Sequence, residues 1–591
     1  MHDTNNIKKR VNSLRKIMKL KNIEAFLLEH EDERLLENTP KNFERLSWIS
    51  GFSGSAGYLV VSLKNLYLFV DGRYTLQAKK QTKDLKVKVY NVAEFDFLKF
   101  LNFFKNKLNN IALDPKTISV SKYEKYKVVC KKNNINIINL KTNIVDLIWS
   151  RNTKTQKTEN IFLLSDKKTG LNYKNKIKLV LKFLDKQKAN AIFIQNSESI
   201  AWLLNIRGKD LEYTPVVFSF SLITKNKIYI FLENKNIPIN IKNSYDAKIV
   251  FFDIKDIPHI LNKIKSKKHL ALLDPISTSQ NYYNLLLKNY KKVSFVNDPI
   301  LEFRSVKNTT EIYNFNKAHL QDGIALCKFL FWVKNKKERD ITELDLVQKI
   351  EFFRKQCSDY ICKSFPTIAG ASSNGAIIHY IPNEFTNKKI KKNDIILLDS
   401  GGQYQSGTTD VTRTIAIGKP TSEQIKNYTL VLKGHINLSM AVFPEGISGN
   451  YLDAIARSFL WQDGKDFAHG TGHGVGFCLN VHEGPFSISS RSNIPLKNGM
   501  VFSNEPGYYK EGSYGIRIEN LVTTKKISLN KKNHLKVNTL TLAPYETKLI
   551  ENNMPNNSEK MWLNKYNKDL FDKVSPYLVE KERNWLYNIC K

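Results

Sequence analysis

The chain has 591 residues, of which 42% are hydrophobic, so it can fill several buried cores; two to four domains are expected and a disordered chain is excluded. Its formal net charge of +36 could indicate a nucleic-acid partner, but the excess lysine is spread along the whole chain among asparagine and isoleucine. No compact basic block with interleaved aromatic residues stands apart, so we expect no nucleic-acid partner.

The first residues of the chain are basic but lack the apolar block of a secretory signal. The apolar segment 215–223 is too short to span a bilayer, so no membrane association is expected. The six cysteines contain no C-x-x-C pair, which is typical of reduced thiols rather than of a disulfide framework. The sequence therefore predicts a cytoplasmic protein.

Two segments of the N-terminal half repeat the same order of predicted elements. Each begins with an apolar strand, continues through a polar loop and a tryptophan (Trp48 or Trp202), and ends in a pair of β-rich runs. This order predicts a duplicated α/β module. With a boundary in the polar stretch WSRNTKTQKTEN, the two modules are predicted to span residues 1–155 and 156–304.

A third domain with mixed helices and short strands is predicted over residues 305–527. From Thr309 the apolar residues recur at helical spacing, and the chain then becomes dense in glycine and short β-rich runs. The remaining residues, 528–591, carry Trp562 and Trp585 on predicted helices and form a small appended extension.

Two aspartates lie at neighbouring ends of two predicted strands in DIILLDSGGQYQSGTTDVTRTIAIG. Asp399 ends the first strand and Asp410 comes near the start of the second, and a glycine- and serine-rich turn joins them. A hairpin would bring the two carboxylates face to face. Two buried carboxylates repel each other unless a cation lies between them, so this pair predicts a cation site.

Five further polar residues follow in short motifs of the same domain. In GIRIENLV, strand alternation puts Glu519 on the face opposite the isoleucines, so it can point into a site while its strand packs on a core. The motifs HGTGHGVG, NVHEGP, SNEPGYY and GIRIENLV contribute His469, His473, His482, Glu505 and Glu519.

Four carboxylates and one neutral imidazole of this domain have the ligand types of a dinuclear metal site. Two divalent cations would balance the four negative charges, and such a donor set suits Mn²⁺, Co²⁺ or Zn²⁺. Two metals about 3.5–4 Å apart could hold a bridging hydroxide as nucleophile and polarise a carbonyl group. Each residue alone would more commonly be a turn, cap or core residue, so the prediction depends on the set: Asp399, Asp410, His473, Glu505 and Glu519.

The motifs SNGAIIHYIPNE, DSGGQYQSGTTDVTRT, HGTGHGVG, NVHEGP, NEPGYY and GIRIEN, in this order, resemble the signatures of the pita-bread metallopeptidases. The chain is most similar to the cytosolic, three-domain aminopeptidase P family, which also has a DGRY segment in its first domain. The resemblance implies two creatinase-like N-terminal α/β domains, a pita-bread α+β catalytic domain and a short C-terminal extension, in a homodimer.

The resemblance also implies a role for each motif residue. It makes the five residues above the ligands of two metal ions, with Mn²⁺ expected and Zn²⁺ or Co²⁺ as alternatives. His379 and His482 would position the substrate carbonyl and support the tetrahedral intermediate, and Glu505 would relay the nucleophile's proton. Arg73 of DGRY would reach the substrate. His469 is a further candidate, with shaping of its glycine-rich loop as the alternative role.

The activity implied by the resemblance is removal of the first residue from peptides with proline at the second position. Proline gives a tertiary amide without an N–H, and its nitrogen leaves only when protonated. A prolidase (Xaa-Pro dipeptidase) or methionine aminopeptidase would share the five ligands, but the duplicated N-terminal domains and DGRY argue against both. A non-enzymatic pita-bread binding protein is a third alternative, which the intact ligand set disfavours.

Overall fold

The computed structural model describes residues 4–150, 161–233, 237–335, 341–551 and 553–591. The predicted boundary between residues 155 and 156 lies outside these residues. The chain forms two compact units: the first contains Met1–Leu163, Asn172–Leu211 and Val216–Ile300, and the second contains Leu164–Leu171, Glu212–Pro215 and Leu301–Lys591. Among the described residues, none of the helices combines the length and the apolar character needed to cross a membrane.

The described residues of the first unit form fourteen strands and most of the short helices. The strands are β1 (Ala25–Glu29), β2 (Tyr58–Ser62), β3 (Leu66–Val70), β4 (Lys88–Asn91), β5 (Asn110–Leu113), β6 (Asn136–Asn139), β7 (Phe162–Leu163), β8 (Ala191–Ile194), β9 (Ile206–Arg207), β10 (Ser219–Thr224), β11 (Ile228–Leu232), β12 (Ile249–Asp253), β13 (Ser266–Leu273) and β14 (Tyr290–Phe295). The helices are α1 (Thr4–Leu20), α2 (Arg45–Ser50), α3 (Thr75–Gln81), α4 (Phe97–Phe103), α5 (Val120–Lys132), α6 (Asp166–Thr169, in the second unit), α7 (Tyr173–Lys186), α8 (Ser197–Leu204), α9 (Ile239–Lys242), α10 (Ile257–Lys263) and α11 (Gln280–Asn289).

Two six-stranded sheets of the first unit have the same topology, with strand orders β4-β3-β2-β1-β5-β6 and β12-β11-β10-β8-β13-β14. In each, three antiparallel strands are flanked by parallel ones. Strand β1 shows why such strands are continuously apolar: Phe26 and Leu28 pack in one buried cluster, and Ala25 and Leu27 pack in another. This repeated topology is the predicted duplicated module.

The second unit contains the remaining elements. Its helices are α12 (Pro299–Ser305), α13 (Thr309–Asn335), α14 (Glu343–Arg354), α15 (Ser422–Ser439), α16 (Gly449–Gln462), α17 (Asn557–Val574) and α18 (Glu580–Cys590). Its strands are β15 (Tyr360–Lys363), β16 (Ile368–Ala371), β17 (Ile395–Ser400), β18 (Gly402–Tyr404), β19 (Gly407–Thr408), β20 (Val411–Ala416), β21 (Val442–Pro444), β22 (Gly472–Gly474), β23 (Glu483–Ile488), β24 (Val501–Asn504), β25 (Gly507–Lys510), β26 (Tyr514–Arg517), β27 (Asn520–Leu529) and β28 (Lys532–Thr539).

The two strands that carry the aspartates pair as predicted, but the segment between them is not a simple turn. Strands β17 and β20 are antiparallel, with Asp399 opposite Thr412 and Ser400 opposite Val411. The intervening residues form β18 and β19, which pair with each other, and β18 also pairs with β15. A partner strand about 40 residues earlier in the chain therefore gives structure to this segment.

The C-terminal extension shares the core of the catalytic unit instead of being appended to it. Leu570 of α17 and Leu586 of α18 are fully buried in one cluster with Tyr428 of α15. Trp562 and Trp585 pack against the same cluster. In β20, Arg413 donates hydrogen bonds to the carbonyl oxygens of residues 543 and 544 and to the Tyr566 hydroxyl of α17. The extension therefore supports the strand that follows Asp410.

Candidate metal centre and active site

The first two carboxylates are brought together by the β17–β20 pair. Because Asp399 lies opposite Thr412, Asp410 emerges at the same end of the pair as Asp399. Both aspartates are buried. Each has an oxygen, Oδ1, that accepts no hydrogen bond from the described residues.

Two glutamates come from the six-stranded sheet of order β21-β28-β27-β24-β22-β23. Asn504 at the end of β24 pairs with Asn520 at the start of antiparallel β27. Glu505 directly follows β24 and Glu519 directly precedes β27, so the two glutamates lie at the same edge of the sheet. The backbone N–H of Glu519 donates to the carbonyl of Thr412 (3.1 Å), and the Thr412 hydroxyl donates to Glu519 Oε2 (2.8 Å). These bonds join the sheet to the aspartate-bearing pair.

His473 of β22 turns one ring nitrogen toward the carboxylates. Its Nδ1 lies 3.0 Å from the carbonyl of Gly474, which can only accept, so Nδ1 carries the proton and Nε2 keeps a lone pair. That Nε2 lies 3.6 Å from Asp410 Oδ2 and 3.5 Å from Glu505 Oε1. A lone pair facing two carboxylate oxygens is unfavourable without a cation, and a backbone-oriented imidazole is the usual form of a metal ligand.

The electrostatics of the site also indicate a bound cation. Ligand atoms of Asp410, His473 and Glu519 all lie within 4.8 Å of one another. Burial and then the neighbouring carboxylates raise the pKa of Asp410 and of Glu519 well above their ordinary values, and burial raises the pKa of Glu505 to about 7. Buried carboxylate oxygens without partners are costly. The donor set therefore fits divalent cations.

An arginine that the sequence analysis did not select as a site residue holds Asp399. Arg517 donates from Nη2 to Asp399 Oδ2 (2.7 Å) and from Nη1 to the Tyr509 hydroxyl (2.6 Å). That hydroxyl lies 2.8 Å from His469 Nε2, whose ring is fixed by a contact of 2.8 Å between Nδ1 and the carbonyl of Gly470. Strand alternation puts Arg517 on the same face as Glu519, so the sequence could have indicated Arg517 as a site residue. No sequence pattern indicates Tyr509.

Of the two predicted carbonyl-binding histidines, His482 contacts a predicted ligand and His379 follows a residue that is bonded to Arg517. The His482 ring contacts the His473 ring edge-to-face, with centroids 4.3 Å apart, and the His482 N–H donates to Asn480 Oδ1 (3.3 Å). His379 is half-buried, and the carbonyl of the preceding residue, Ile378, accepts from Arg517 Nη1 (3.3 Å). His482 is therefore in contact with a predicted ligand, whereas His379 is linked to Asp399 only through Ile378 and Arg517.

Arg73 belongs to the first unit, where its guanidinium is tied to its own turn. Its Nε donates to Asp71 Oδ1 (3.0 Å) and its Nη2 to Asp71 Oδ2 (2.7 Å). Burial opposes the charged form, but the hydrogen bonds to Asp71 prevail and raise the pKa of Arg73. A quarter of the side chain stays exposed. Its part at the catalytic centre stays a prediction.

Family models match nearly the whole chain. The creatinase/prolidase N-terminal domain matches residues 10–147 and again 152–311, metallopeptidase family M24 matches 314–526, and the C-terminal region of peptidase M24 matches 533–591. These matches confirm the predicted order of two creatinase-like domains, a catalytic domain and a C-terminal extension.

Similar proteins include peptidases that act on Xaa-Pro bonds. The Xaa-Pro aminopeptidase 1 of Dictyostelium discoideum is 37% identical over 99% of this chain and 96% of that protein. The X-prolyl aminopeptidase of Caenorhabditis elegans, described as a cytosolic enzyme with a di-nuclear active site, matches with a TM-score of 0.93 and 31% identity over 99% of both chains. The prolidase of Pyrococcus horikoshii matches with a TM-score of 0.51 and 25% identity, over 63% of this chain and 99% of that one. The prolidase thus leaves more than a third of this chain unmatched.

Proposed function

The chain belongs to metallopeptidase family M24, among the Xaa-Pro aminopeptidases, and from this premise we propose how its residues remove the first residue of a peptide whose second residue is proline. The observation that carries the proposal is the convergence of four carboxylates and His473 Nε2, with three buried carboxylate oxygens that have no partner among the described residues. The enzyme uses two metal ions per chain, and we propose Mn²⁺, with Zn²⁺ or Co²⁺ as alternatives.

The residues that would hold the metals are Asp399, Asp410, His473, Glu505 and Glu519. When bound, the two cations would supply an acidified water as nucleophile and would polarise the scissile carbonyl. Arg517 and Thr412 fix one oxygen each of Asp399 and Glu519, so the remaining oxygens, Oδ1 and Oε1, are directed to the centre. This division of the carboxylate oxygens supports their role as ligands.

Glu505 is proposed to take the proton of the attacking water and pass it to the proline nitrogen. Its side chain is 18% exposed, against 11% for Asp399 and 6% for Asp410, so it is the more accessible to substrate. Its Oε1 accepts from the Ser503 hydroxyl (3.1 Å), which fixes the carboxylate plane. The tertiary amide nitrogen can leave only when protonated, so this transfer is required for cleavage.

His379 and His482 are proposed to donate hydrogen bonds to the carbonyl oxygen of the scissile bond. Negative charge develops on that oxygen during attack, and a donor positioned in advance stabilises this charge more than it stabilises the substrate. The contact between the rings of His482 and His473 supports a position beside the ligands. Arg73 is proposed to bind carbonyl or carboxylate groups of the peptide beyond the proline, with its fork oriented by Asp71.

We propose a cytoplasmic location, supported by the description of the Caenorhabditis elegans relative as cytosolic. We also propose a homodimer. Large apolar side chains of the second unit stay exposed, including Val442 (48%), Tyr451 (61%) and Trp461 (49%), and a second copy could cover them. Light scattering on the purified protein tests this, since a monomeric mass at micromolar concentration would contradict it.

The activity is tested by release of the first residue from Arg-Pro-Pro with added Mn²⁺. The matched control is the same peptide with alanine at the second position, from which we expect no release. Cleavage of Xaa-Pro dipeptides without cleavage of the tripeptide would indicate a prolidase instead. Absence of all cleavage in protein that carries two metals per chain would favour a binding protein.

A further inference from the structure

Glu343, the first residue of α14, has a carboxylate that is completely buried. Four groups donate to it: Oε1 accepts from the N–H of Ala371 (2.7 Å) and from Asn374 Nδ2 (3.0 Å), and Oε2 accepts from the Tyr380 hydroxyl (2.8 Å) and the N–H of Lys388 (2.9 Å). Within the described part of the chain, these donors are backbone N–H groups, an amide and a hydroxyl, and no cationic side chain forms an ion pair with the Glu343 carboxylate. A buried carboxylate held by uncharged donors alone is uncommon and costly to maintain.

All four donors belong to one segment, residues 371–388, which leads from the end of β16 toward β17 and carries His379. Ala371 lies at its start, Tyr380 directly after the histidine, and Lys388 at its end. The N–H of Glu343 also donates to the carbonyl of Lys388 (3.0 Å). One side chain therefore joins both ends of the segment and its middle.

The residue that precedes His379 is bonded to an arginine of the proposed metal centre. The carbonyl of Ile378 accepts from Arg517 Nη1 (3.3 Å), and Arg517 also binds Asp399. The residue before His379 is thus tied to a ligand-holding arginine, and the residue after it, Tyr380, is tied to Glu343. These two bonds restrict the backbone on both sides of His379.

Helix α14 does not need the carboxylate of Glu343 for its own start. Thr342 is the N-cap and accepts from the N–H of Asp345, and the Asp345 side chain accepts from the N–H of Thr342. This capping box already satisfies the helix terminus. The helix dipole favours negative charge in the first turn, but the donors that Glu343 gathers come from elsewhere in the chain.

We propose that Glu343 is a positioning residue of the aminopeptidase reaction, whose carboxylate fixes segment 371–388 so that the His379 imidazole is held at the substrate carbonyl. The inference rests on the proposed role of His379. Glutamine at position 343 would turn an N–H₂ group toward groups that themselves donate, so the segment would have to shift. A displacement near 1 Å at a catalytic group can lower the rate about 10²-fold.

The test is a double-mutant cycle of Glu343→Gln and His379→Ala, with kcat, KM and metal content measured for all four proteins. We expect Glu343→Gln to lower kcat about 10- to 100-fold in the otherwise unchanged protein and less than about 3-fold when His379 is already alanine. Metal content should stay at the wild-type value. Tyr380→Phe, which removes a single donor, serves in the same cycle if Glu343→Gln does not fold.

Asp345→Asn is the matched control, because it changes a carboxylate of the same helical turn that serves the capping box. It should lower the melting temperature, and any loss of kcat should be the same with or without His379. Equal losses of kcat for Glu343→Gln in both backgrounds would overturn the inference and leave the proposed function intact. Wild-type kcat in His379→Ala alone would overturn the proposed role of that histidine and the inference with it.

Discussion

The stabilisation that metal gives this protein should grow with pH. In the metal-free chain, burial raises the pKa of Glu505 from 4.5 to about 7, and the pKa values of Asp410 and Glu519 are raised as well. The folded metal-free protein therefore binds more protons than the unfolded chain between pH 4.5 and pH 7, so its free energy of unfolding falls as pH rises through that window. For Glu505 alone, the loss is about 3 kcal/mol at about 1.4 kcal/mol per pH unit.

The measurement is the difference in melting temperature between Mn²⁺-loaded and chelated protein at pH 5, 6, 7 and 8. The difference is needed because His435, whose pKa burial lowers to about 3, makes stability rise with pH in both forms. For a catalytic unit of this size, 3 kcal/mol corresponds to roughly 5–10 °C. The difference should widen by at least that amount from pH 5 to pH 8. In chelated protein, the melting temperature of Glu505→Gln relative to that of the unchanged protein should rise over the same pH range, because the variant lacks the titrating carboxylate.

A constant difference in melting temperature across this pH range would refute the argument, because it would mean that the carboxylates are not held close together in the metal-free fold. If the melting temperatures of chelated Glu505→Gln and of the chelated unchanged protein differ by the same amount at every pH, Glu505 is removed from the cause and Asp410 and Glu519 are left as the remaining groups. Metal must be saturating at every pH, since the apparent stability depends on free ligand concentration.

Three further outcomes are expected from single substitutions. His473→Ala or Glu519→Gln should abolish both metal binding and turnover, and two metals per chain by elemental analysis would remove that residue from the ligand set. His482→Ala and His379→Ala should keep the metals and lose kcat by about 10²-fold or more, as expected for lost carbonyl support; near-normal kcat would assign them a structural role. Arg73→Ala should raise KM for longer peptides more than for a dipeptide, without rescue by lysine, whereas an unchanged kcat/KM at every length would make Arg73 a surface residue.

The proposed ligand set could be selected from the sequence because each of its members stands in a short motif whose chemistry is local. Asp399 and Asp410 lie only eleven positions apart, at the ends of one short segment, and the strand alternation around Glu519 was visible in the sequence itself. The partners that orient these ligands were not predictable. Arg517 reaches Asp399 across 118 positions of the chain, and nothing in the sequence near Tyr509 indicates that its hydroxyl joins Arg517 to His469.

The fold was likewise predictable where a segment determines its own structure. The duplicated modules follow from repeated apolar strands such as β1, which is covered on both faces. The strands between Asp399 and Asp410, and the packing of the C-terminal helices into the catalytic core, depend on partners distant in sequence. The hydrogen bonds of Glu343 could not be predicted for the same reason. In the sequence it is an ordinary acidic residue in a first helical turn, and its donors lie 28 to 45 positions further along the chain.

The burial of α17 and α18 in the catalytic core has a consequence for synthesis on the ribosome. Residues 557–590 emerge after all the proposed metal ligands, yet they supply the buried Leu570 and Leu586 and the Tyr566 hydroxyl that accepts a hydrogen bond from Arg413 of β20. The two N-terminal modules can fold while the chain is still growing, since domains fold as units in order of emergence. The catalytic unit cannot complete its buried core until both helices have left the ribosome, so the residues of the proposed metal centre emerge before the core that supports them is complete.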